Sequence, residues 1–116
     1  MARRLQPVPL SFWRSATGRE PVREWLRRLR KSDRAVIGGD LRTLQFGWPI
    51  GMPLVRKLAD RIWELRSTLP GRGEARLLFT ANEHRIVVLS GFIKKSQKTP
   101  AGEIELARRR LKELES

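Results

Sequence analysis

Three charged residues in two short segments have the types and spacing for acid–base or phosphate chemistry. Residues 62–66 read Ile-Trp-Glu-Leu-Arg and residues 75–79 read Ala-Arg-Leu-Leu-Phe, so charged and apolar side chains largely alternate. A period of two is typical of β-strands, in which alternate side chains share a face. We therefore expect Glu64, Arg66 and Arg76 on one open face of a sheet. The alternative is that Glu64 pairs with Arg76 across the strands and stays solvated.

A lysine-rich segment precedes the last predicted helix. Lys94, Lys95 and Lys98 fall within five residues, directly before Thr99 and Pro100. Cations at a helix N-terminus have the wrong sign for the helix dipole, and the placement makes sense if an anion lies among them. The ammonium groups and the free N–H groups of the first helical turn would then bind one phosphate together. The alternative is a solvated basic loop.

The composition indicates the class of partner and excludes several kinds of catalytic and metal site. The 116 residues include 25 Lys and Arg against 12 Asp and Glu, a formal net charge of +13. Such a charge on a small chain indicates a polyanionic partner, nucleic acid first and an acidic protein second. The sequence has no Cys, no Tyr and a single His, His84. Thiolate metal sites and Cys nucleophiles are excluded, and no acidic pair has metal-ligand spacing, so we expect neither a metal nor a cofactor.

The hydrophobic period predicts the elements that position these residues. Helical spacing of apolar residues predicts helices over 20–30, 33–46 and 100–114. A period of two predicts strands over 61–67, 74–81 and 85–93, after a short first strand within 8–14. Ser32 and Asp33 are candidate caps of the second helix, and Thr99 of the third.

The predicted order is strand-helix-helix-strand-strand-strand-helix. It indicates an α+β fold, with a small antiparallel sheet and helices packed on one face, as a single domain over residues 1–116. No stretch approaches the length of an apolar membrane span, and no signal peptide is evident, so we expect a cytoplasmic protein without a membrane partner.

Residues 62–66, 75–79 and 89–100 (Leu-Ser-Gly-Phe-Ile-Lys-Lys-Ser-Gln-Lys-Thr-Pro) in this order resemble the phage-derived, HigB-like branch of the RelE/ParE toxin superfamily. The resemblance covers nearly the whole chain, and its last segment is the most specific. It implies a RelE-like fold and a type II toxin that cuts mRNA on the ribosome without a metal. It also implies a co-expressed helix-turn-helix antitoxin, and hence a toxin–antitoxin hetero-oligomer.

The resemblance also implies roles for individual residues. The expected catalytic residues are Arg76, Lys95, Lys57 and Glu64, and the expected RNA- or phosphate-binding residues are Arg66, Lys94, Lys98 and Thr99. An arginine such as Arg76 can hold a phosphate through two parallel hydrogen bonds. A lysine crowded by other cations can act as a general base, which makes Lys57 or Lys95 a candidate, with Glu64 as a rival base.

A non-catalytic function is the alternative. Many superfamily members use Tyr or His in this region, whereas this chain has no Tyr and His84 lies in a predicted hairpin loop. ParE-type relatives share the fold but act on DNA gyrase by binding, and a degenerate member could be only an antitoxin- or DNA-binding subunit. Convergence of Arg76 and Lys95 in one pocket would favour the ribonuclease, and dispersed charge would favour binding.

Overall fold

The chain forms five strands and three helices in a computed structural model that describes residues 5–71, 73–94 and 98–116. The strands are β1 (Leu10–Phe12), β2 (Val55–Ala59), β3 (Ile62–Thr68), β4 (Glu74–Ala81) and β5 (Ile86–Lys94). The helices are α1 (Pro21–Arg27), α2 (Lys31–Gly47) and α3 (Ala101–Glu115). The α+β class, the three predicted helices and the three long predicted strands are confirmed.

The strands form one mixed sheet in the order β1-β5-β4-β3-β2. Strands β2 to β5 are antiparallel to their neighbours, whereas β1 is parallel to β5, with Leu10 opposite Ile86. The prediction of a purely antiparallel sheet is therefore wrong at β1. The chain passes through two helices and three strands between β1 and β5, so no hairpin forces these two strands to be antiparallel.

Strand β2 is absent from the predicted order. It has only five residues, with Arg56 and Lys57 next to each other, and its register against β3 shifts between Lys57 and Ala59. This irregularity breaks the period of two on which strand prediction depends. Because β2 pairs with β3, β3 is an internal strand and Arg56 lies opposite Glu64.

Helices cover both faces of the sheet, and the prediction of helices on one face is wrong. Helices α1 and α2 pack on the first face, over a core that includes Ile37, Leu44, Leu65, Leu77 and Phe79. Helix α3 packs on the opposite face, where Ala107 and Leu111 meet Ile62, Leu78 and Leu89. Strands β4 and β5 carry apolar side chains on both faces, so each face has to be covered.

The predicted side-chain caps do not form. Arg30 and Pro100 occupy the N-cap positions of α2 and α3, and neither helix has a side-chain capping hydrogen bond. Asp33 is buried in the first turn of α2, where its Oδ1 has no partner among the described residues. Thr99 turns its hydroxyl toward the sheet instead, where it donates to Glu64.

Among residues 5–71, 73–94 and 98–116, no helix combines the length and the apolar character that crossing a membrane requires.

Candidate functional site

A buried ion pair lies on the face of the sheet that α3 partly covers. In the β3–β4 register, Glu64 is opposite Leu78 and Arg66 is opposite Arg76, so Glu64 and Arg76 are diagonal neighbours on one face. Arg76 Nη1 donates to Glu64 Oε1 at 2.5 Å. The two side chains are 1% and 0% exposed. The cross-strand pair therefore forms, but it is buried, and the expectation of an open, solvated face is wrong at these two residues.

Three donors converge on the Glu64 carboxylate. Besides Arg76, Arg56 Nη2 lies 3.3 Å from Oε1, and the Thr99 hydroxyl donates to Oε2. A buried charge is tolerated only when it is paired and hydrogen-bonded. Both Glu64 oxygens therefore accept hydrogen bonds. These bonds join β2, β4 and the segment before α3 to β3. This arrangement suits a structural anchor better than a general base.

Arg76 is fully engaged by carboxylates. Its Nε donates to Glu74 Oε1 at 3.0 Å, its Nη2 donates to the same oxygen, and its Nη1 binds Glu64. At 1% exposure, the guanidinium has no surface with which to hold a phosphate. We call Glu64, Arg76 and Glu74 the ion-pair cluster. In this arrangement Arg76 positions its neighbours rather than contacting a substrate.

Three more accessible cations surround the ion-pair cluster, and we call them the cationic patch: Arg56, Arg66 and Lys94. Each lies directly opposite a member of the cluster in the strand register. Residues that are opposite each other in a sheet share a face. Arg66 and Lys94 form no ion pair with a residue that the structure describes. Their charges are therefore available to a polyanion.

Lys94 has a perturbed ammonium group. Its pKa lies below the ordinary lysine value, first because partial burial disfavours the charged form, and then because Arg76 is close. Arg66 acts in the same direction, whereas two nearby carboxylates act in the opposite one. A lysine with a lowered pKa is deprotonated more readily and can accept a proton. The sequence analysis expected this property of Lys57 or Lys95, as a result of neighbouring cations, and expected Lys94 only to bind RNA.

Of the other predicted site residues, Lys57 and Lys98 are not part of the ion-pair cluster or the cationic patch. Lys57 lies on the opposite face, where its ammonium is 5.5 Å from the centroid of the Trp63 ring, so it is not brought together with Arg76. Lys98 is exposed at the segment that leads into α3, next to Thr99. Lys95 lies outside the described residues.

Arg56 and Glu74 are the residues of this site that the sequence reasoning missed. Without β2, Arg56 is one of two basic residues in an apparent loop between Gly51 and Asp60. Once β2 is placed beside β3, the alternation of strand residues puts Arg56 on the face of Glu64. Apolar Val55, Leu58 and Ala59 around the basic pair are the signal that could have revealed the strand.

The concave surface beside the patch is built around Arg66, not Arg76. A cleft of about 420 Å³ is lined by Val36, Asp40, Pro53, Leu54, Arg66, Thr68 and Glu74. Within the described parts of the chain, no group of three or more His, Asp or Glu side chains is placed to hold a metal ion.

A family model described as "Phage derived protein Gp49-like (DUF891)" matches residues 24–112. The matched region extends from α1 into α3 and includes the ion-pair cluster and the cationic patch. No curated protein matches the chain significantly.

Proposed function

The chain belongs to the family of phage-derived Gp49-like proteins, and on this premise we propose that it is a type II toxin that cuts mRNA on the ribosome. The family is associated with RelE-like toxins. The observation that carries the proposal is the cationic patch, in which Lys94 on β5, with its lowered pKa, and Arg66 on β3 lie on the same face with β4 between them. The net charge of +13 favours a polyanionic substrate such as RNA.

The proposed reaction uses the RNA's own 2′-hydroxyl group as the nucleophile. Neutral Lys94 accepts the proton of the 2′-hydroxyl as its oxygen bonds to the adjacent phosphorus. The bond from phosphorus to the 5′-oxygen breaks, which leaves a 2′,3′-cyclic phosphate. The departing oxygen takes up a proton from solvent water, and the Lys94 ammonium returns its proton to the solvent. Arg66 and Arg56 stabilise the additional negative charge on the phosphate oxygens. In this proposal side chains supply the base and the charge stabilisation, and no step requires a metal ion.

The ion-pair cluster has a positioning role in this proposal. Arg76 bridges Glu64 on β3 and Glu74 at the start of β4, and Thr99 ties the segment before α3 to Glu64. These bonds hold β3, which carries Arg66, against β4, the strand that pairs with the one carrying Lys94. Rigid placement of reacting groups lowers the entropic cost of reaching the transition state. Lys95 and Lys98, which follow β5, extend the positive charge along the RNA backbone.

The proposed protein partner is a helix-turn-helix antitoxin. The cationic patch suits a partner that covers it with Asp or Glu side chains, since complementary charge speeds association and fixes orientation. Toxin and antitoxin would then form a hetero-oligomer in which the patch is closed to RNA.

A non-catalytic function is the second candidate, and one observation favours it. Arg76 forms ion pairs with Glu64 and Glu74, so its guanidinium does not line a pocket together with another cation. In that case the same patch would bind an acidic surface, such as that of an antitoxin or of a DNA gyrase complex, or the DNA backbone.

Mapping mRNA 5′ ends at ribosomes after induction distinguishes the two functions. The wild-type protein should generate new 5′ ends within ribosome-covered codons. Lys94→Gln should lower cleavage about 100- to 10,000-fold, the range for loss of a general base. The matched control is Lys57→Gln, which removes a lysine from the opposite face of the sheet and should cleave like the wild type.

The controls separate loss of chemistry from loss of folding. Both lysines are at least partly accessible, so both variants should keep the wild-type melting temperature. Growth inhibition without new mRNA ends would favour the non-catalytic function. Equal loss of cleavage in Lys57→Gln and Lys94→Gln would show that the active site does not lie at the cationic patch.

A further inference from the structure

The cleft beside the cationic patch shares Arg66 and Glu74 with the site described above, but its other lining residues have no part in the proposed chemistry. It opens beside the first residue of β2, Val55. Val55 pairs with Leu65, and β3 has no β2 partner beyond this pair. Helix α2 supplies Asp40 on one side, and β3 supplies Arg66 and Thr68 on the other. Its volume of about 420 Å³ is within the range of small-ligand sites.

Arg66 offers unused hydrogen-bond donors to this cleft. Its Nε is buried and has no partner among the described residues. Its Nη1 lies 3.7 Å from Met52 Sδ, and a thioether sulfur is a weak acceptor. The Nη groups of Arg66 therefore keep donor capacity that acceptor atoms of a ligand can use.

Asp40 offers an acceptor on the other side of the same cleft. The Ser67 hydroxyl, on a residue with no exposed surface, donates to Asp40 Oδ2 at 2.6 Å and fixes the carboxylate beside β3. Asp40 forms no ion pair with Arg66, although both residues line the cleft. Asp40 and Arg66 thus both line the cleft and do not pair with each other.

We propose that this cleft binds a guanine base, and, building on the proposed function, that it selects a guanine beside the cleaved phosphate. Guanine presents N7 and O6 as adjacent acceptors, and N1–H and the N2 amino group as adjacent donors. Arg66 donates to the acceptors and Asp40 accepts from the donors. No other RNA base presents both pairs, so guanine satisfies the two residues best.

The position of the cleft fits a nucleotide that spans it and the cationic patch. Arg66 belongs to both, and its charge contributes to the lowered pKa of Lys94. Glu74, which lines the cleft, lies opposite Lys94 in the β4–β5 register. Val36, Pro53 and Leu54 supply apolar surface for the base.

Equilibrium binding of the four nucleoside monophosphates to the purified protein tests the proposal without requiring catalysis. The wild type should bind GMP more tightly than AMP, CMP or UMP. In Asp40→Asn the amide oxygen can still accept from Ser67, but the amide N–H groups oppose the donors of guanine. The preference for GMP should fall about 5- to 150-fold, the range for one well-formed base contact.

The matched control is Asp60→Asn, at a side chain that is 91% exposed between β2 and β3, and it should leave the preference unchanged. Equal binding of the four nucleotides by the wild type, a preference for another base, or a GMP preference that survives Asp40→Asn would each overturn the proposal. Selective, Asp40-dependent GMP binding without any mRNA cleavage would support the subsite and refute the ribonuclease function.

Discussion

The two faces of the sheet use opposite kinds of interaction. On the face covered by α1 and α2, the Trp48 ring packs edge-on against Trp63 and Phe79, with ring centroids 5.0 and 5.7 Å apart. On the face covered by α3, a smaller apolar cluster adjoins the buried pair of Glu64 and Arg76. The apolar face is filled mainly by side chains of the chain itself. The charged face has buried groups that depend on each other and accessible groups that remain available for a ligand.

Helix α3 leaves room for this charge because it covers only part of its face. It packs over Ile62, Leu78, Val87 and Leu89. Arg110 of α3 donates to the Leu89 carbonyl at 2.7 Å, and its guanidinium lies 4.6 Å from the centroid of the Trp13 ring. Helix α3 thus covers the end of the sheet where β3 and β5 begin, and its last residue, Glu115, pairs with Arg61 just before β3. The opposite end of the same face, where β3 and β5 end and β4 begins, is left to the ion-pair cluster and the cationic patch.

Removal of Arg76 should have the largest effect of the changes that test this contrast. Arg76→Ala leaves Glu64 buried beside an empty space, and breaking a buried pair in this way costs about 3–5 kcal/mol of folding free energy. Chemical denaturation of the purified protein measures the loss. Lys94→Ala, at an accessible position of the same face, should stay within about 0.5 kcal/mol of the wild type. Similar stabilities for the two variants would show that Arg76 is not buried in solution.

The sequence predicted the apolar part of this fold better than its charged part. Strands β3, β4 and β5 follow a clear period of two, and the apolar run Ile86–Leu89 marks an internal strand. The same run indicates that both faces of the sheet are covered. Ile86 and Val88 are buried on one face, and Val87 and Leu89 are buried on the other. Strand β2 could not be recognised because its irregular register removes the alternation.

The shared face of Glu64 and Arg76 could be predicted from the sequence, but the accessibility of these residues could not. Alternation predicts which face Glu64 and Arg76 share, and this is confirmed. Alternation cannot tell a solvated charge from one that a neighbouring strand and a preceding loop enclose. Burial of this pair depends on Arg56 and Thr99, which are distant in sequence and approach only after the chain folds. The predicted roles of Arg66, Lys94 and Lys98 in RNA binding stay predictions.

A change on the apolar face should have an intermediate effect. A Cβ atom at Gly91 would lie 2.7 Å from Trp25 Cζ3, so Gly91→Ala forces the indole of α1 away from β5. Overpacking of this kind costs about 1–3 kcal/mol. Gly38→Ala is the matched control, because a Cβ there meets no atom within 4 Å and helix propensity favours Ala by about 1 kcal/mol. Thermal melting should move in opposite directions for the two variants, and destabilisation by both would contradict the packing argument.

The pH dependence of Lys94 should give the smallest effect on stability and the finest test of the charged face. Its pKa in the folded protein lies below the ordinary value of 10.5, because of partial burial and then the charge of Arg76. Between these two values the unfolded chain binds more protons than the folded one, so stability should rise with pH across that window. Cleavage should rise with pH below that window and level off above the lowered pKa, since the neutral amine is the base.

The comparison of wild type with Lys94→Gln isolates this group. Denaturation and single-turnover cleavage, each measured over a pH series, should show both rises in the wild type and neither in the variant. Lys94→Arg keeps a cation that does not lose its proton in this range, so it should retain RNA binding while losing the pH-dependent cleavage. Cleavage by Lys94→Arg with the wild-type pH profile would assign the base to another residue and leave Lys94 only the binding of phosphate.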